Sequence, residues 1–469
     1  MPEDERKDIA EGEEKGEAGG NETGAPESEE DQDQNQEKLL LESPLIYSLA
    51  SDGNVTSEGE GAGQLYEEKM TVLPKFGQIL PFPLRSILEY QARDYKIRII
   101  FSSNDQLTLS NLGLRYEDFV RKMAQLRNQL ILKDVLMEEK LRQPTARGSV
   151  IFTGSSGTAR LAAECELRLY ETALVIVPDI GDLIRIPYSD ITGISAQDYR
   201  LEITTEFGDK LVASQMGRLF DPFARALAEA NSALQLKVNS VLMKLLPLAD
   251  PAELRKVAHL MKEGRAARKS DIDSVSPAVW SQLEKRLVSV GIAEEYPFLK
   301  GLSQADRICI GIKQGLRGDL TSEYLWFLVP IYSSSPDTPG NAIAMEASSN
   351  EGSGRATYFF RITGRKEYKE MGLDKLSAEC DKLTGSINRA MIEINFRREP
   401  IYLEDGKLNE PPYQKYLFAA KRLPSLQTLR SLFIGRVIHS TPEQWQADVL
   451  ALLKFNVVAE DDGVKWSKS

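Results

Sequence analysis

The chain has 469 residues, which is too long for one hydrophobic core and corresponds to about three domains. Its hydrophobic content of 42% is enough for those domains to be packed. Its formal net charge of −12 arises at the N-terminus: the first 60 residues hold 19 acidic and 4 basic side chains, so the remainder carries about +3. No apolar run is long enough for a membrane helix or a signal peptide, and three separated cysteines favour a reducing compartment, so we expect a cytoplasmic protein.

Residues 1–44 are predicted to be a disordered acidic tail. Apart from Met1, Ile9 is the one sizeable apolar residue before Lys38, so this segment cannot bury enough surface to offset the entropy lost on ordering. A solubilising extension is the simplest role. The alternative is an acidic lure for a basic partner, or a mimic of nucleic acid.

A duplication organises the chain from residue 65 to residue 225. An offset of 104 residues places Leu65-Tyr66-Glu67 on Leu169-Tyr170-Glu171 without a gap. The matching positions include turn-forming residues that fix the backbone of both copies: Pro74 with Pro178, Gly77 with Gly181, Pro83 with Pro187. A repeat of this length corresponds to one small domain, so we predict two copies of one domain, in residues 45–140 and 141–245.

Each copy is predicted to be an antiparallel meander closed by one amphipathic helix. In copy 2, apolar and polar residues alternate from Tyr199 to Phe207, as in a half-buried strand, and Gly208-Asp209 suits a hairpin turn. Asp221 is a good N-cap for the closing helix, and Asp118 lies near the helix start in copy 1. The apolar stripe of the second helix has helical spacing: Phe223, Leu227, Ala230, Leu234 and Val238.

This order of elements resembles the pleckstrin-homology-like (PH-like) superfamily, a bent seven-stranded barrel capped by a C-terminal helix. Residues 186–194, 198–203 and 208–211 resemble bacterial and GRAM-type PH-like strands, and the resemblance covers roughly residues 45–240. It implies a module that binds lipids, peptides or other proteins and is not catalytic.

Lipid-binding relatives carry a basic cluster in the first hairpin of the domain. The matching positions in copy 1 hold Lys69 and Lys75, which are the candidate contacts for a lipid or phosphate. Copy 2 has Asp179 and Asp182 there, which would repel phosphate. The resemblance therefore implies weak or no membrane binding and no cofactor, and it favours protein partners, including self-association.

Residues 246–304 are predicted to be a helical linker. One helix starts at Asp250-Pro251 and another at Ser276-Pro277, with basic residues between them. Two short helices with basic residues between them would also suit a helix-turn-helix reader of DNA. However, Glu284, Lys285 and Arg286 are a balanced set rather than a basic recognition face, so we expect no nucleic-acid partner.

Residues 305–469 are predicted to be an α+β domain. Four strands are indicated, at 308–312, 324–330, 342–345 and 356–362, followed by a long helix with Cys380 on its apolar stripe. Residues 413–433 and 442–455 are predicted to be two more helices. The predicted fold class of the chain is therefore α+β: two tandem PH-like antiparallel barrels, a helical linker and a C-terminal α+β domain.

Motifs that would indicate a reaction are weak. The glycine-rich segment 148–158 lacks the lysine of a phosphate-binding loop and is better explained as a hairpin turn. His259 and His439 are the only histidines, and no histidines or cysteines have the spacing of metal ligands, so we predict no catalytic, cofactor or metal site. Arg397-Arg398 could grip a phosphate, but arginines that end a helix also complement its dipole.

Three functions follow from this sequence, in decreasing order of support. The first is a non-enzymatic adaptor or scaffold that binds protein partners through tandem PH-like modules. The second is a peripheral membrane or lipid-binding protein that uses the same modules. The third is an enzyme with an active site in the C-terminal domain.

Overall fold

The computed structural model describes residues 38–136, 139–289, 292, 294–314, 323–333, 340–349, 356–459 and 461–467. The predicted acidic tail therefore lies outside the described residues up to residue 37. The first strand starts at Leu41, which is earlier than the predicted domain boundary at residue 45. Within these ranges, no helix combines the length and the apolar character needed to cross a membrane.

Copy 1 is one seven-stranded antiparallel sheet closed by a helix. Its strands are β1 (Leu41–Ser51), β2 (Asn54–Leu65), β3 (Lys69–Pro74), β4 (Leu80–Pro83), β5 (Ile87–Arg93), β6 (Lys96–Phe101) and β7 (Gln106–Ser110). They are ordered β4-β3-β2-β1-β7-β6-β5. Helix α1 (Tyr116–Leu136) follows and buries Phe119, Met123 and Leu126 in the core of the sheet.

Copy 2 repeats this architecture. Its strands are β8 (Arg142–Thr153), β9 (Ala159–Leu169), β10 (Ala173–Pro178), β11 (Ile184–Pro187), β12 (Ile191–Gln197), β13 (Arg200–Thr205) and β14 (Lys210–Ser214). The sheet order is β11-β10-β9-β8-β14-β13-β12, and helix α2 (Phe220–Leu245) closes it with Phe223, Leu227 and Leu234 in the core.

The two copies match in backbone detail. Strands β3 to β7 and β10 to β14 begin and end at positions that differ by the same 104 residues. Asp94 and Tyr95 have φ values of 51° and 56°, and Asp198 and Tyr199 have the same two values. The duplication is therefore confirmed, and two antiparallel sheets of this kind, each closed by a helix, fit a PH-like fold.

Two local predictions were wrong. Tyr199 does not start a strand but lies in a left-handed turn, where its exposed ring contacts Phe220 at 5.6 Å between ring centres. Asp221 is not the N-cap of α2, because the helix begins at Phe220 and its cap, Leu219, makes no side-chain capping bond. The Asp221 carboxylate lies in the first turn instead, where its negative charge interacts favourably with the positive end of the helix dipole and stabilises the helix.

The predicted linker is helical, but it is packed rather than extended. Its elements are α3 (Pro251–Leu260), the two-residue strand β15 (Ala267–Arg268), α4 (Lys269–Asp273), α5 (Pro277–Ser289) and α6 (Glu295–Gly301). Asp250 caps α3 by accepting a hydrogen bond from the amide of Ala252 at 2.8 Å. Trp280 and Leu283 share one buried cluster with Phe327 of the next sheet, so this segment belongs to the C-terminal body.

The third sheet is antiparallel and has six strands, ordered β15-β16-β17-β18-β19-β20. Its remaining strands are β16 (Cys309–Gln314), β17 (Glu323–Ile331), β18 (Ala342–Ser349), β19 (Ala356–Arg361) and β20 (Phe433–Ile438). Strand β20 was not predicted, since all of it except Phe433 lies between the helices predicted at 413–433 and 442–455. The prediction of one helix over 413–433 was wrong, because two shorter helices occupy that segment. The helices of this part are α7 (Arg365–Glu370), α8 (Leu373–Glu393), α9 (Glu399–Tyr402), α10 (Asp405–Leu408), α11 (Leu417–Arg422), α12 (Pro424–Leu432) and α13 (Pro442–Val458).

Helices cover both faces of this sheet. Leu376 and Cys380 of α8 pack with Leu429 of α12 on one face, while Trp445 of α13 packs with α5 and α6 on the other. Cys380 is fully buried in this core, as its place on the apolar stripe predicted.

Candidate functional site

The two copies meet through the β10–β11 turn of copy 2, residues 178–183, here named the docked turn. Its Gly181 amide donates a hydrogen bond to the Tyr90 hydroxyl at 2.6 Å, and Asn128 of α1 donates to the Gly181 carbonyl at 2.9 Å. Asp182 accepts a hydrogen bond from Arg127, whose side chain is only 2% exposed. The turn is therefore held by backbone and charged contacts to copy 1.

Apolar packing completes this interface. Six branched aliphatic side chains form one buried cluster across it: Ile131, Leu132, Val135, Val175, Val177 and Leu183. The first three belong to α1, and the others belong to β10 and the docked turn. One face of α1 therefore covers the core of copy 1, and another receives copy 2.

The C-terminal part also contacts the junction between the two copies. Arg422 of α11 donates to the second carboxylate oxygen of Asp182 at 2.8 Å, and Phe418 packs against the aliphatic cluster. Arg397 donates a hydrogen bond to the carbonyl of Asp134 near the end of α1. The docked turn thus lies where all three parts of residues 39–469 meet.

The equivalent turn of copy 1 has the same shape and no such covering. This β3–β4 turn, residues 74–79, is here named the open turn. Its Gly77 has a φ of 116°, against 117° for Gly181. Phe76 is 92% exposed and Ile79 is 62% exposed, whereas Leu183, the counterpart of Ile79, is 7% exposed. Two large apolar side chains are therefore presented to solvent on a well-defined turn.

Strand β3 separates the two predicted phosphate contacts, Lys69 and Lys75. Lys69 starts the strand and lies 5.3 Å from the centre of the Tyr66 ring, while Lys75 follows the strand and forms an ion pair with Glu60. Six residues of extended chain put their Cα atoms roughly 20 Å apart. The two lysines therefore do not converge on one anion, and their predicted role stays a prediction.

A cleft of about 780 Å³ opens beside the docked turn. Copy 1 contributes Glu89 and Tyr90, copy 2 contributes residues 160–163 and 180–187, and the C-terminal part contributes Phe418 and residues 421–424. Strand β11 lies along it and, among the strands that the structure describes, pairs with β10 alone, which makes it the edge strand of its sheet. A volume of this size is typical of ligand-binding clefts.

Charged groups of both signs line the cleft. The cations are Arg160, Arg185, Arg389, Lys421 and Arg422, and the acids include Asp182, Asp190, Asp209 and Glu393. Arg389 of α8 donates to Glu393 at 3.0 Å and lies 3.6 Å from Asp209, which links the C-terminal part to copy 2. The cleft therefore suits a zwitterionic or mixed-charge ligand better than a simple anion.

Asp190 is a buried carboxyl on the wall of this cleft. Burial raises its pKa to about 7; the positive charge of Arg389 opposes this shift, and Glu263, Glu393 and Glu206 add to it. This carboxyl therefore changes charge near neutral pH.

A buried ionic network lies beneath β11. Arg185 lies 3.7 Å from Glu263 and 3.9 Å from Glu139, and Lys313 of β16 lies 3.9 Å from Glu263. Burial raises the pKa of Glu263 and lowers that of Lys313. Arg185 also donates to the carbonyl of Ile392 at 3.2 Å, so the network fixes the edge strand against the C-terminal part.

His439 lies in a separate buried cluster of the third sheet. Its Nε2 is 2.9 Å from Glu346 on β18, and Thr357 of β19 donates to the same carboxylate at 2.7 Å. Burial lowers the pKa of His439, but the hydrogen bond and charge of Glu346 outweigh burial and raise it overall. The Trp445 ring contacts this histidine edge-on, with 5.8 Å between the ring centres.

The other candidate motifs have structural contacts. The glycine-rich segment forms the β8–β9 hairpin, in which Gly154 donates to the Thr158 carbonyl at 3.1 Å. Arg397 and Arg398 lie over the rings of Tyr416 and Tyr358, each at 5.9 Å. Across the described ranges, no three His, Cys, Asp or Glu side chains are grouped so that they could hold a metal ion.

Sequence reasoning missed the junction and the cleft. Asp182 was interpreted as repelling phosphate, whereas it pairs with Arg127 and Arg422. A signal was present in the duplication, because Arg127 and Asp182 align with two uncharged amides, Asn231 and Gln78. A basic residue found only in copy 1 and an acidic residue found only in copy 2 suggest an ion pair between the copies that the repeated fold itself does not require. The cleft had no such signal, since three distant segments form it.

Comparison with known proteins adds little. No protein-family model matches the chain, and no curated protein matches it. Among solved structures, the C-terminal domain of an unknown protein from Leishmania infantum aligns at 16% identity over 22% of this chain and 91% of that chain, with a TM-score of 0.18. A structure of the Spt16D Pob3N heterodimer aligns at 12% identity over 36% of this chain and 85% of that chain, with a TM-score of 0.15. Scores this low carry no argument about fold or function.

Proposed function

We propose that this chain is a non-enzymatic scaffold that holds an extended segment of a partner protein in the cleft between its two PH-like copies and its C-terminal part. The observation that carries the proposal is the edge strand β11, which lines that cleft and has one strand neighbour. An open strand edge recognises an extended peptide through main-chain hydrogen bonds, and neighbouring side chains then select its sequence.

The hydrogen-bonding pattern of β11 supports this role. The Tyr188 amide donates to Thr172 on the β10 side at 2.9 Å. Because residues of an antiparallel strand alternate in the direction of their amides, the amide and carbonyl of Arg185 are directed away from β10. Pro187, two residues further, has no amide hydrogen to leave unpaired on that open edge.

The charges of the cleft define the partner segment further. Asp190 is buried, and within the described part of the chain its carboxylate accepts a hydrogen bond only from the Ser189 hydroxyl, at a long 3.4 Å. A basic side chain of the partner would pair with Asp190 and hold it in the charged form. Arg160 and Lys421 on other parts of the wall suit acidic residues of the same segment.

A variant that fills the cleft tests this function. Ala162 is an exposed residue of β9 on the cleft wall, so Ala162→Trp would block the cleft without disturbing a core. Ala159→Trp is the matched control, since Ala159 is exposed on the same strand but does not line the cleft. Each full-length protein is immobilised and used to capture partners from its native host, with quantitative mass spectrometry as the readout.

If the scaffold function is correct, at least one protein is captured by both the wild type and Ala159→Trp but is depleted about tenfold with Ala162→Trp. A tenfold loss of affinity corresponds to about 1.4 kcal/mol of binding free energy. Equal capture by both tryptophan variants would remove the cleft from the proposal. Strong binding of the same proteins to anionic vesicles would favour the membrane alternative instead.

A further inference from the structure

The junction between the two copies is a template for a second interface. Within the chain, the docked turn of copy 2 is received by the face of α1 that carries Arg127, Asn128 and Leu132. Any other PH-like helix with a free face at the same place could receive the open turn of copy 1 in the same manner. Both halves of such an interface are exposed on this chain.

The first half is the open turn. Phe76 and Ile79 occupy the positions of Ile180 and Leu183, and the turn glycines share one conformation. At the internal junction Ile180 stays 46% exposed and Leu183 is 7% exposed, so Ile79 is the side chain that equivalent docking would bury. Among the described residues, none forms a hydrogen bond with the Gly77 amide or carbonyl, whereas the Gly181 amide and carbonyl are both hydrogen-bonded to copy 1. The turn therefore retains the backbone groups with which its counterpart docks.

The second half is the corresponding face of α2. Leu236 aligns with Leu132 and is 69% exposed, where Leu132 is 5% exposed. Ser232 aligns with Asn128 and keeps a side-chain donor for the glycine carbonyl. Met243, seven residues after Leu236 and so on the same side of the helix, is also exposed.

The polar residues change together across the two halves. Inside the chain, Arg127 of the helix pairs with Asp182 of the turn. The corresponding residues of the second interface are Asn231 on α2 and Gln78 on the open turn, two amides that can hydrogen-bond to each other. Two amides therefore replace the ion pair at these matched positions. Docking there would bury no unpaired charge at either of them.

We infer that the occupant of the open turn is a second copy of this chain, which receives it on α2 in the way that α1 receives the docked turn. This self-association rests on the proposed scaffold function and specifies how scaffolds assemble. The two contacting surfaces differ, so the contact is heterologous and leaves one turn and one helix face free at the ends of each assembly. It is weaker than the internal junction, because Gln235 and Asn239 replace the buried Ile131 and Val135.

Sedimentation velocity of the full-length chain, from about 1 to about 100 µM, measures this association directly. We expect the weight-average sedimentation coefficient to rise with concentration in the wild type. Ile79→Asp places a charge at the turn position that docking would bury, and Leu236→Asp places one on the α2 face, so each variant alone should remain a monomer. Leu114→Asp, at a fully exposed apolar site elsewhere in copy 1, is the matched control and should associate as the wild type does.

Mixing the two defective variants gives the decisive result. The Ile79→Asp chain keeps its helix face, and the Leu236→Asp chain keeps its turn, so an equimolar mixture should form one-to-one dimers and nothing larger. A monomeric wild type, an association that survives either substitution, or a mixture that stays monomeric would overturn the inference. Thermal unfolding confirms that each variant is folded.

The outcome is separable from that of the scaffold test. Ala162→Trp fills the cleft and should leave self-association unchanged, while Ile79→Asp should still capture a cleft-bound partner. Loss of self-association alone would therefore leave the proposed function standing, and loss of capture alone would leave the contact between copies standing.

Discussion

The docked turn and the open turn have the same backbone and different surroundings. Gly181 and Gly77 adopt φ values within one degree of each other, yet the docked turn lies under α1 and α11 and the open turn faces solvent. The shape of the turn is therefore a property of the repeated sequence. Its burial depends on a few residues that are not repeated.

Those residues act through charge and branching. Copy 1 offers Arg127 and the aliphatic residues Ile131 and Val135 to the docked turn, whereas α2 has Asn231, Gln235 and Asn239 at the matching positions. Helix α1 therefore contacts copy 2 within the chain, whereas the matching face of α2 is accessible and combines these amides with the exposed Leu236. Substitutions at matched positions of the two copies test this difference directly.

The largest expected effect is at the buried ion pair. Asp182→Ala leaves the Arg127 guanidinium buried without its carboxylate, which we expect to lower the free energy of unfolding by about 3 to 5 kcal/mol. Gln78→Ala, the matched change in the open turn, should alter it by less than about 0.5 kcal/mol. Urea denaturation measures both, and similar losses for the two variants would contradict the distinction between the turns.

The next effect depends on pH and is confined to copy 2. Because the pKa of Asp190 is about 7 in the folded chain and near 3.8 when unfolded, the folded state binds more protons between these values. Stability from this group is therefore greatest below about pH 4, is lost as the pH rises to about 7, and stays low above it.

Asp190→Asn should consequently raise the free energy of unfolding at pH 8 by about 2 to 4 kcal/mol, since each pKa unit corresponds to about 1.4 kcal/mol. Glu263 and Glu346 also have raised pKa values, so the slope of stability against pH should shrink without vanishing. Ser86 occupies the matching position of copy 1, and Ser86→Ala should leave the slope unchanged. An unaltered slope in Asp190→Asn would show that this carboxyl is not the titrating group.

Apolar burial at the two turns gives a smaller contrast. Leu183→Ala removes a buried side chain from the cluster on α1 and should cost about 2 kcal/mol. The exposed Ile79 should tolerate alanine with a change of less than about 0.5 kcal/mol. Chemical denaturation of the pair, at the same pH and at a chain concentration too low for self-association, checks both values. A large loss for Ile79→Ala would mean that the open turn is covered within the monomer.

The smallest expected effect concerns lipid. A lysine near an anionic surface contributes about 1 kcal/mol, and Lys69 and Lys75 lie at opposite ends of β3, so they should not recruit the chain stably to phosphoinositide vesicles. We expect little co-sedimentation, and no change in Lys69→Glu or Lys75→Glu. Tight, salt-sensitive binding lost in both variants would restore the membrane function to first place.

Much of the fold was predictable from the residues alone. The offset of 104 residues located both copies, and the alternation and stripe patterns identified most strands and the long helix α8, because local periodicity reports which face of an element is buried. Strand β20 was missed because its neighbour in the sheet, β19, is distant in sequence, and a short apolar run after a helix resembles more helix. The predicted linker was misjudged for a related reason, since an amphipathic helix does not reveal what covers its apolar face.

The sequence by itself determined the two-copy plan, the turn geometry that both copies share, and the acidic character of the N-terminus, since each depends on residues close together in the chain. Tertiary structure decided which turn is buried, that Asp182 pairs with Arg127 rather than facing solvent, and that three distant segments enclose a cleft with Asp190 on its wall. These features depend on the desolvation and pairing of groups up to a few hundred residues apart, such as Asp182 with Arg422. Such energies exist only once the chain has brought the groups into contact.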